Sequence, residues 1–156
     1  MNLFLLRHAE AIPEAASDAE RPLTERGTKQ AKAVGRFCRD HEILPELVLS
    51  SPLVRALETA RAVAGALDLV DRLKTVDFLK PGMGVESAIS SLEKYWDRAS
   101  VMMVGHEPDL SDLASALLGS GRDSLHLRKA ALLRLSLPKM KPGSGTLEFL
   151  LPVKFL

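Results

Sequence analysis

Short apolar runs alternate with stretches of helical periodicity through most of this chain, and each run stops abruptly at polar residues. Residues 3–6 (Leu-Phe-Leu-Leu) form the first run, the pattern of a strand covered on both faces that opens into a loop at Arg7-His8. From Thr24, the expected N-cap, a periodic stretch continues to about residue 40 with Ala31, Val34, Phe37 and Cys38 on one face. A second run at 47–49 is closed by Ser50-Ser51-Pro52. There a serine cap, with proline at the first helical position, predicts a helix to about residue 67 with Arg55 in its first turn. A weaker strand is expected at 73–76 and a helix over 85–97. A strong strand at 101–104 stops at Gly105-His106, and Pro108 and Asp109 open a helix to residue 118. The tail changes period: 131–137 and 146–151 read as strands separated by Pro138, Pro142, Gly143 and Gly145, paired as a hairpin or lying at sheet edges.

Strand alternating with helix predicts the α/β class, a three-layer α/β/α sandwich with a mostly parallel central sheet and right-handed crossovers. At 156 residues the chain is expected to form a single domain over 1–156. Its 21 Lys and Arg against 20 Asp and Glu give a net charge of +1, so no global field draws it to nucleic acid or anionic lipid. No apolar run reaches the roughly 18 residues that cross a bilayer, so no membrane role is expected. The lone Cys38 cannot form an internal disulfide, and no basic segment precedes a long apolar stretch at the N-terminus; a cytoplasmic location is expected. There is no His-x-x-x-His or Cys-x-x-Cys pair, Walker loop or Gly-x-Gly-x-x-Gly turn, so no metal and no nucleotide cofactor is expected.

Sheets of this kind bind ligands beyond the carboxyl ends of their strands. Those ends carry Arg7-His8, then Ser50-Ser51-Pro52 leading to Arg55, then Gly105-His106. Two arginines, two histidines and a helix start are the parts that hold a phosphoryl group: bidentate forks, directed N–H donors and a nitrogen nucleophile. Taken singly, each reads as an ion-pair or capping residue; their position together at strand ends points to an anion-handling site.

These residues also carry a resemblance. Leu6-Arg7-His8-Ala9-Glu10-Ala11 is similar to the Arg-His-Gly signature of the histidine phosphatase superfamily (phosphoglycerate mutase-like). Arg21-Pro22-Leu23-Thr24-Glu25-Arg26-Gly27 resembles its Pro-Leu-Thr-x-x-Gly element. Ser50-Ser51-Pro52-Leu53-Val54-Arg55-Ala56-Leu57-Glu58-Thr59-Ala60 resembles its Ser-Ser-Pro-x-x-Arg-x-x-x-Thr-Ala block, and Val104-Gly105-His106-Glu107-Pro108 its second histidine block. The short chain and the run from Ala15 to Thr24 look most like the SixA-type phosphohistidine phosphatases of that superfamily. The resemblance implies the histidine phosphatase fold and a metal-independent phosphatase that hydrolyses phosphohistidine on a protein. His8 would be the nucleophile forming phospho-His8, Arg7 and Arg55 would grip the phosphoryl oxygens, and His106 would donate to the transferring group. Arg21 matches a further phosphate-pocket arginine. The implied partner is a phosphohistidine-bearing protein such as a histidine phosphotransfer domain of a signalling relay. Two alternatives stay open: a small-molecule phosphomonoesterase taking a small phosphate ester, and a phosphate-binding module whose catalysis has decayed.

Imidazole suits the role, being neutral near pH 7 and nucleophilic when its other nitrogen is held by a hydrogen bond; a backbone carbonyl after His8 could supply one. Two departures stand out. Ala9 replaces the usual glycine, so the backbone there must accept a methyl group. Many members supply the leaving-group acid as a glutamate after the third strand, where this chain has Asp77-Phe78-Leu79-Lys80-Pro81. Without that acid an alkoxide would leave poorly, whereas imidazole can leave neutral, which favours P–N cleavage. Asp18 is a candidate to protonate or position the leaving group and reads equally as a solvated loop charge; Glu10 and Glu107 are as open. Cys38, Met102 and Met103 read as core, Tyr95-Trp96 as a cover over core or pocket rim, and His41 and His126 as surface residues.

Overall fold

A computed structural model describes residues 1–121 and 123–156. Its six strands are β1 (Asn2–Arg7), β2 (Leu47–Ser50), β3 (Leu73–Thr75), β4 (Ser100–Gly105), β5 (Leu132–Ser136) and β6 (Thr146–Leu151). Its four α-helices are α1 (Glu25–Asp40), α2 (Val54–Ala66), α3 (Val85–Glu93) and α4 (Asp109–Leu118). The strands make one sheet in the order β3-β2-β4-β1-β5-β6. β1 to β4 are parallel, and β5 and β6 close the sheet antiparallel as a hairpin, with β6 at the edge. The tail thus forms the expected hairpin, with only β6 at a sheet edge and β5 paired on both sides.

Strand alternation sorts the core into two layers. Leu3 and Leu5 of β1, Leu47 and Leu49 of β2, and Val101 and Met103 of β4 face α3 and α4 with Leu92, Leu110, Leu113 and Leu117. Phe4, Leu6, Val48, Met102 and Val104 face α1 and α2, with Ala31, Val34, Cys38, Ala60 and Val63. This is the α/β/α sandwich that the pattern predicts. Cys38 is fully buried, and burial pushes its thiol up to about 12, as fits a packing residue.

Local chemistry sets most boundaries. Thr24 caps α1 by accepting from the Gly27 N–H at 2.9 Å. Gly119, at φ 70°, ends α4 in the left-handed conformation. The second helix differs from its expected start: it begins at Val54, with Leu53 at the cap position and no side-chain cap. Ser50 belongs to β2, and the Ser51 hydroxyl is engaged with the Leu53 N–H and with His106 instead. The third helix ends at Glu93 rather than 97, because Tyr95, Trp96 and Arg98 donate three residues back and wind the chain into tight turns. No helix among the described residues is long and apolar enough to cross a membrane.

Candidate active site

The sheet register builds the site. Leu6, Val104 and Ser50 lie side by side across β1, β4 and β2, so the chains leaving these strands emerge at one level. The His8 N–H donates to the Gly105 carbonyl at 3.0 Å and the Ser51 N–H to that of Val104 at 3.0 Å, which carries the pairing one step past the strands. His8 and His106 consequently face each other with ring centroids 5.2 Å apart. Arg55, one residue into α2, turns into the same space and is 5% exposed.

Hydrogen bonds fix the state of His8. Arg55 Nε donates to His8 Nε2 at 3.3 Å, so that nitrogen carries the lone pair. The proton therefore sits on Nδ1, which donates to the Ala9 carbonyl at 2.8 Å. Burial lowers the pKa of His8 to about 4; the hydrogen bond to the Ala9 carbonyl opposes it, and the charges of Arg55, Arg7 and Arg21 add to the lowering. His106 falls to about 3, from burial first and then from His8 and Arg55. His106 Nε2 lies 2.8 Å from Ser51 Oγ, which already accepts from the Leu53 N–H at 3.3 Å. The other ring nitrogen of His106, Nδ1, is buried with no partner of its own. Both imidazoles are neutral near pH 7, and His8 presents its Nε2 lone pair.

Asp18 completes the cluster. Arg55 donates through Nη1 to the Asp18 carbonyl at 2.6 Å and through Nη2 to its carboxylate at 3.0 Å. Arg21 donates to the other carboxylate oxygen at 2.8 Å and through Nε to the Ile12 carbonyl at 2.7 Å, and it touches His8 only electrostatically. These two guanidiniums hold the Asp18 carboxyl below the usual carboxylate range, so it has no proton to give near neutral pH. Arg7 sits on the far side, donating to the Leu127 carbonyl at 2.9 Å, with its Nε buried and unpartnered.

Several residues that position the site were quoted in the sequence without a role. Thr59, one turn after Arg55, accepts from the Ala9 N–H at 3.0 Å and donates to the Arg55 carbonyl at 2.7 Å, tying the loop after His8 to α2. Ala9 is fully buried against the α1 and α2 layer. It is not among the positive-φ residues, so the glycine usual in that signature is not required by the backbone here. Gly27 is required: a Cβ there would stand 1.9 Å from the Glu10 carbonyl oxygen. The Glu10 side chain accepts from Thr24 at 3.0 Å and pairs with Arg26. Glu107 is half-buried, bonded to Ser111 and lying 3.2 Å from Nδ1 of the exposed His126. Asp77, in the stretch where the superfamily acid is often found, is exposed and pairs with Lys80 at 2.8 Å. Sequence reading gave no signal for the segment from Leu127 to Ala130. There the Ala130 N–H donates to the carbonyls of both Arg7 and His8 at 3.2 Å.

The buried histidines make stability depend on pH. In the unfolded chain each takes up a proton near the ordinary pKa of 6.5, whereas in the fold they resist protonation to about 4 and about 3. The unfolded state binds more protons in that window, so this stabilisation is complete above pH 6.5 and is lost as pH falls towards 4. The loss is about 1.4 kcal/mol per pH unit for each imidazole. Thermal melts from pH 7.5 to 4.5 should show the midpoint dropping below 6.5, with a shallower slope in a His8→Asn/His106→Asn variant.

Comparison with known proteins agrees with this geometry. Residues 3–80 match the profile of the histidine phosphatase superfamily (branch 1). The phosphohistidine phosphatase SixA homolog of Haemophilus influenzae is 35% identical over 130 residues, covering 76% of this chain and 78% of that protein. The phosphohistidine phosphatase SixA of Escherichia coli is 31% identical over 119 residues, 75% and 74% of the two chains. A solved structure of the protein histidine phosphatase SixA complexed with tungstate superposes with a TM-score of 0.91 at 27% identity, covering 99% of both chains.

Proposed function

Because this chain belongs to the histidine phosphatase superfamily and is a phosphatase of that fold, we propose that its substrate is phosphohistidine on a protein, cleaved through a phospho-His8 intermediate. One observation carries the reading. Asp18 lays a carbonyl and a carboxylate oxygen on the two Nη atoms of Arg55 while Arg55 Nε touches the lone-pair nitrogen of His8. The oxygens of Asp18 stand in for phosphoryl oxygens beside a neutral nucleophile.

In this mechanism Asp18 yields Arg55 and Arg21 to the incoming phosphoryl group. His8 Nε2 attacks phosphorus as the bond to the substrate's imidazole nitrogen breaks. The substrate ring, protonated by solvent on its other nitrogen, leaves as neutral imidazole. The negative charge on the transferring oxygens is met by Arg7, Arg55, Arg21 and the His106 N–H. Water then attacks phospho-His8, releasing phosphate and restoring the Nε2 lone pair. The step needs no carboxylic acid, which suits a site whose Asp18 is held ionised. The segment 13–20 and residues Arg128 and Lys129 beside the site are exposed, leaving room for a protein surface.

The test compares a phosphohistidine peptide with an aryl phosphate ester, in the presence of chelator. Preference for the peptide by at least about tenfold is expected; turnover of the ester alone would favour the small-molecule phosphomonoesterase, and turnover of neither a binding module. Asp18→Asn gives a second reading. With the competing charge removed, inorganic phosphate should bind several-fold tighter by calorimetry while peptide turnover persists. If Asp18 instead protonated the leaving group, the variant would lose ester turnover.

A further inference from the structure

A cavity of about 420 Å³ opens beside Arg7. Arg26 of α1, Arg128, Lys129 and Lys154 line it together with Arg7; Glu10 also lines it, and Glu107 lies behind Arg7 and His126. On a chain whose net charge is only +1, this is a local concentration of cations. Glu10 is engaged by Arg26 at 3.5 Å, and among the described residues no carboxylate pairs with Arg128, Lys129 or Lys154. The patch is fastened to the candidate nucleophile. Ala130, next to Lys129, donates to the carbonyls of Arg7 and His8, and Arg7 donates to the carbonyl of Leu127. A polypeptide that presents a phosphorylated side chain to His8 therefore lays its neighbouring residues across this wall.

We infer that the cavity docks an acidic protein surface bordering the substrate's phosphohistidine, a conclusion that rests on the phosphohistidine reading above. Arg26, Arg128, Lys129 and Lys154 are exposed and spread over three separate segments rather than converging on one point. That suits several carboxylates set apart on a surface better than a single small anion. Among the described residues no Phe, Tyr or Trp lines the cavity to stack a base, which disfavours single-stranded nucleic acid. Charges at such a rim act mainly on encounter, so their effect falls on kcat/KM and fades with salt.

The experiment uses three substrates on the full chain: a phosphohistidine peptide flanked by aspartate and glutamate, the same peptide flanked by serine and glycine, and free phosphohistidine. Wild type should favour the acidic peptide at low salt by about tenfold or more in kcat/KM, with the preference fading near 0.5 M salt. Lys154→Glu, on the cavity wall but outside the segment that braces Arg7 and His8, should weaken that preference and leave turnover of free phosphohistidine unchanged. Arg128→Glu/Lys129→Glu should abolish the preference, read as the ratio of the acidic to the neutral peptide because these residues flank that segment. Equal cleavage of the two peptides by wild type, or an equal loss on free phosphohistidine in Lys154→Glu, would overturn the docking surface while leaving the phosphohistidine activity standing. No cleavage of any of the three by wild type would remove the phosphohistidine reading itself, and the docking surface with it.

Discussion

Replacing His8 with alanine is expected to lower turnover of a phosphohistidine peptide by at least about 10⁴-fold, the scale at which removal of a nucleophile leaves only residual binding catalysis. The loss follows from position. His8 Nε2 bears the lone pair that faces Arg55 and its Nδ1 proton is fixed by the Ala9 carbonyl, whereas His106 Nε2 is engaged with Ser51 Oγ. Folding should survive, because the side chain makes one hydrogen bond to its own neighbour and one to Arg55, while the strand pairing around it is backbone. Circular dichroism and a thermal melt alongside the assay separate the two effects. Protein quenched in alkaline denaturant after brief exposure to labelled substrate, so that the acid-labile P–N bond survives, should hold phosphate in wild type and none in the variant; turnover close to wild type would defeat the mechanism. The pKa of about 4 for His8 also places the acid limb of its titration well below pH 6.5, so protonation of the nucleophile should not limit the rate at neutral pH.

The second large effect is expected at Arg55. Its guanidinium reaches in three directions, to His8 Nε2, the Asp18 carbonyl and the Asp18 carboxylate, from a nearly fully buried side chain. In the proposed transition state the two Nη donors pass to phosphoryl oxygens. Loss of a directed donor to a developing anion costs about 2 to 4 kcal/mol, so Arg55→Ala should reduce kcat by about 10²- to 10³-fold. Arg55→Lys should recover little of it, since a single ammonium cannot satisfy three partners held in a planar fork. Tungstate or phosphate affinity should fall in parallel. An unchanged kcat with a raised KM would instead place Arg55 in ground-state binding alone.

Comparison of the two levels is instructive at particular residues. The apolar runs at 3–6, 47–49 and 101–104 became central strands because each is short, uninterrupted and covered on both faces, so pattern and burial ask for the same thing. The start of α2 departed from its propensity signal. Ser51 has the residue type of a cap, yet its hydroxyl is shared between Leu53 and His106, and a functional contact displaced the local one. Ala9 reads as a flaw against a glycine signature, but its methyl group is packed against the helices without a left-handed backbone. Asp18 drew attention as a possible acid on residue type. Its position between Arg21 and Arg55 lowers its pKa instead, something only three-dimensional neighbours can do.

By itself, then, the sequence determined the class of fold, the order of its elements and the residue types available at the strand ends. Those depend on periodicity and local chemistry, which are written along the chain. Tertiary structure alone decided which nitrogen of His8 is free, that Asp18 closes on Arg55, and that the segment from Leu127 to Ala130 braces Arg7 and His8. Each of these joins groups tens of residues apart through hydrogen bonds whose strength depends on burial, and neither the distances nor the burial exists until the sheet has set its register.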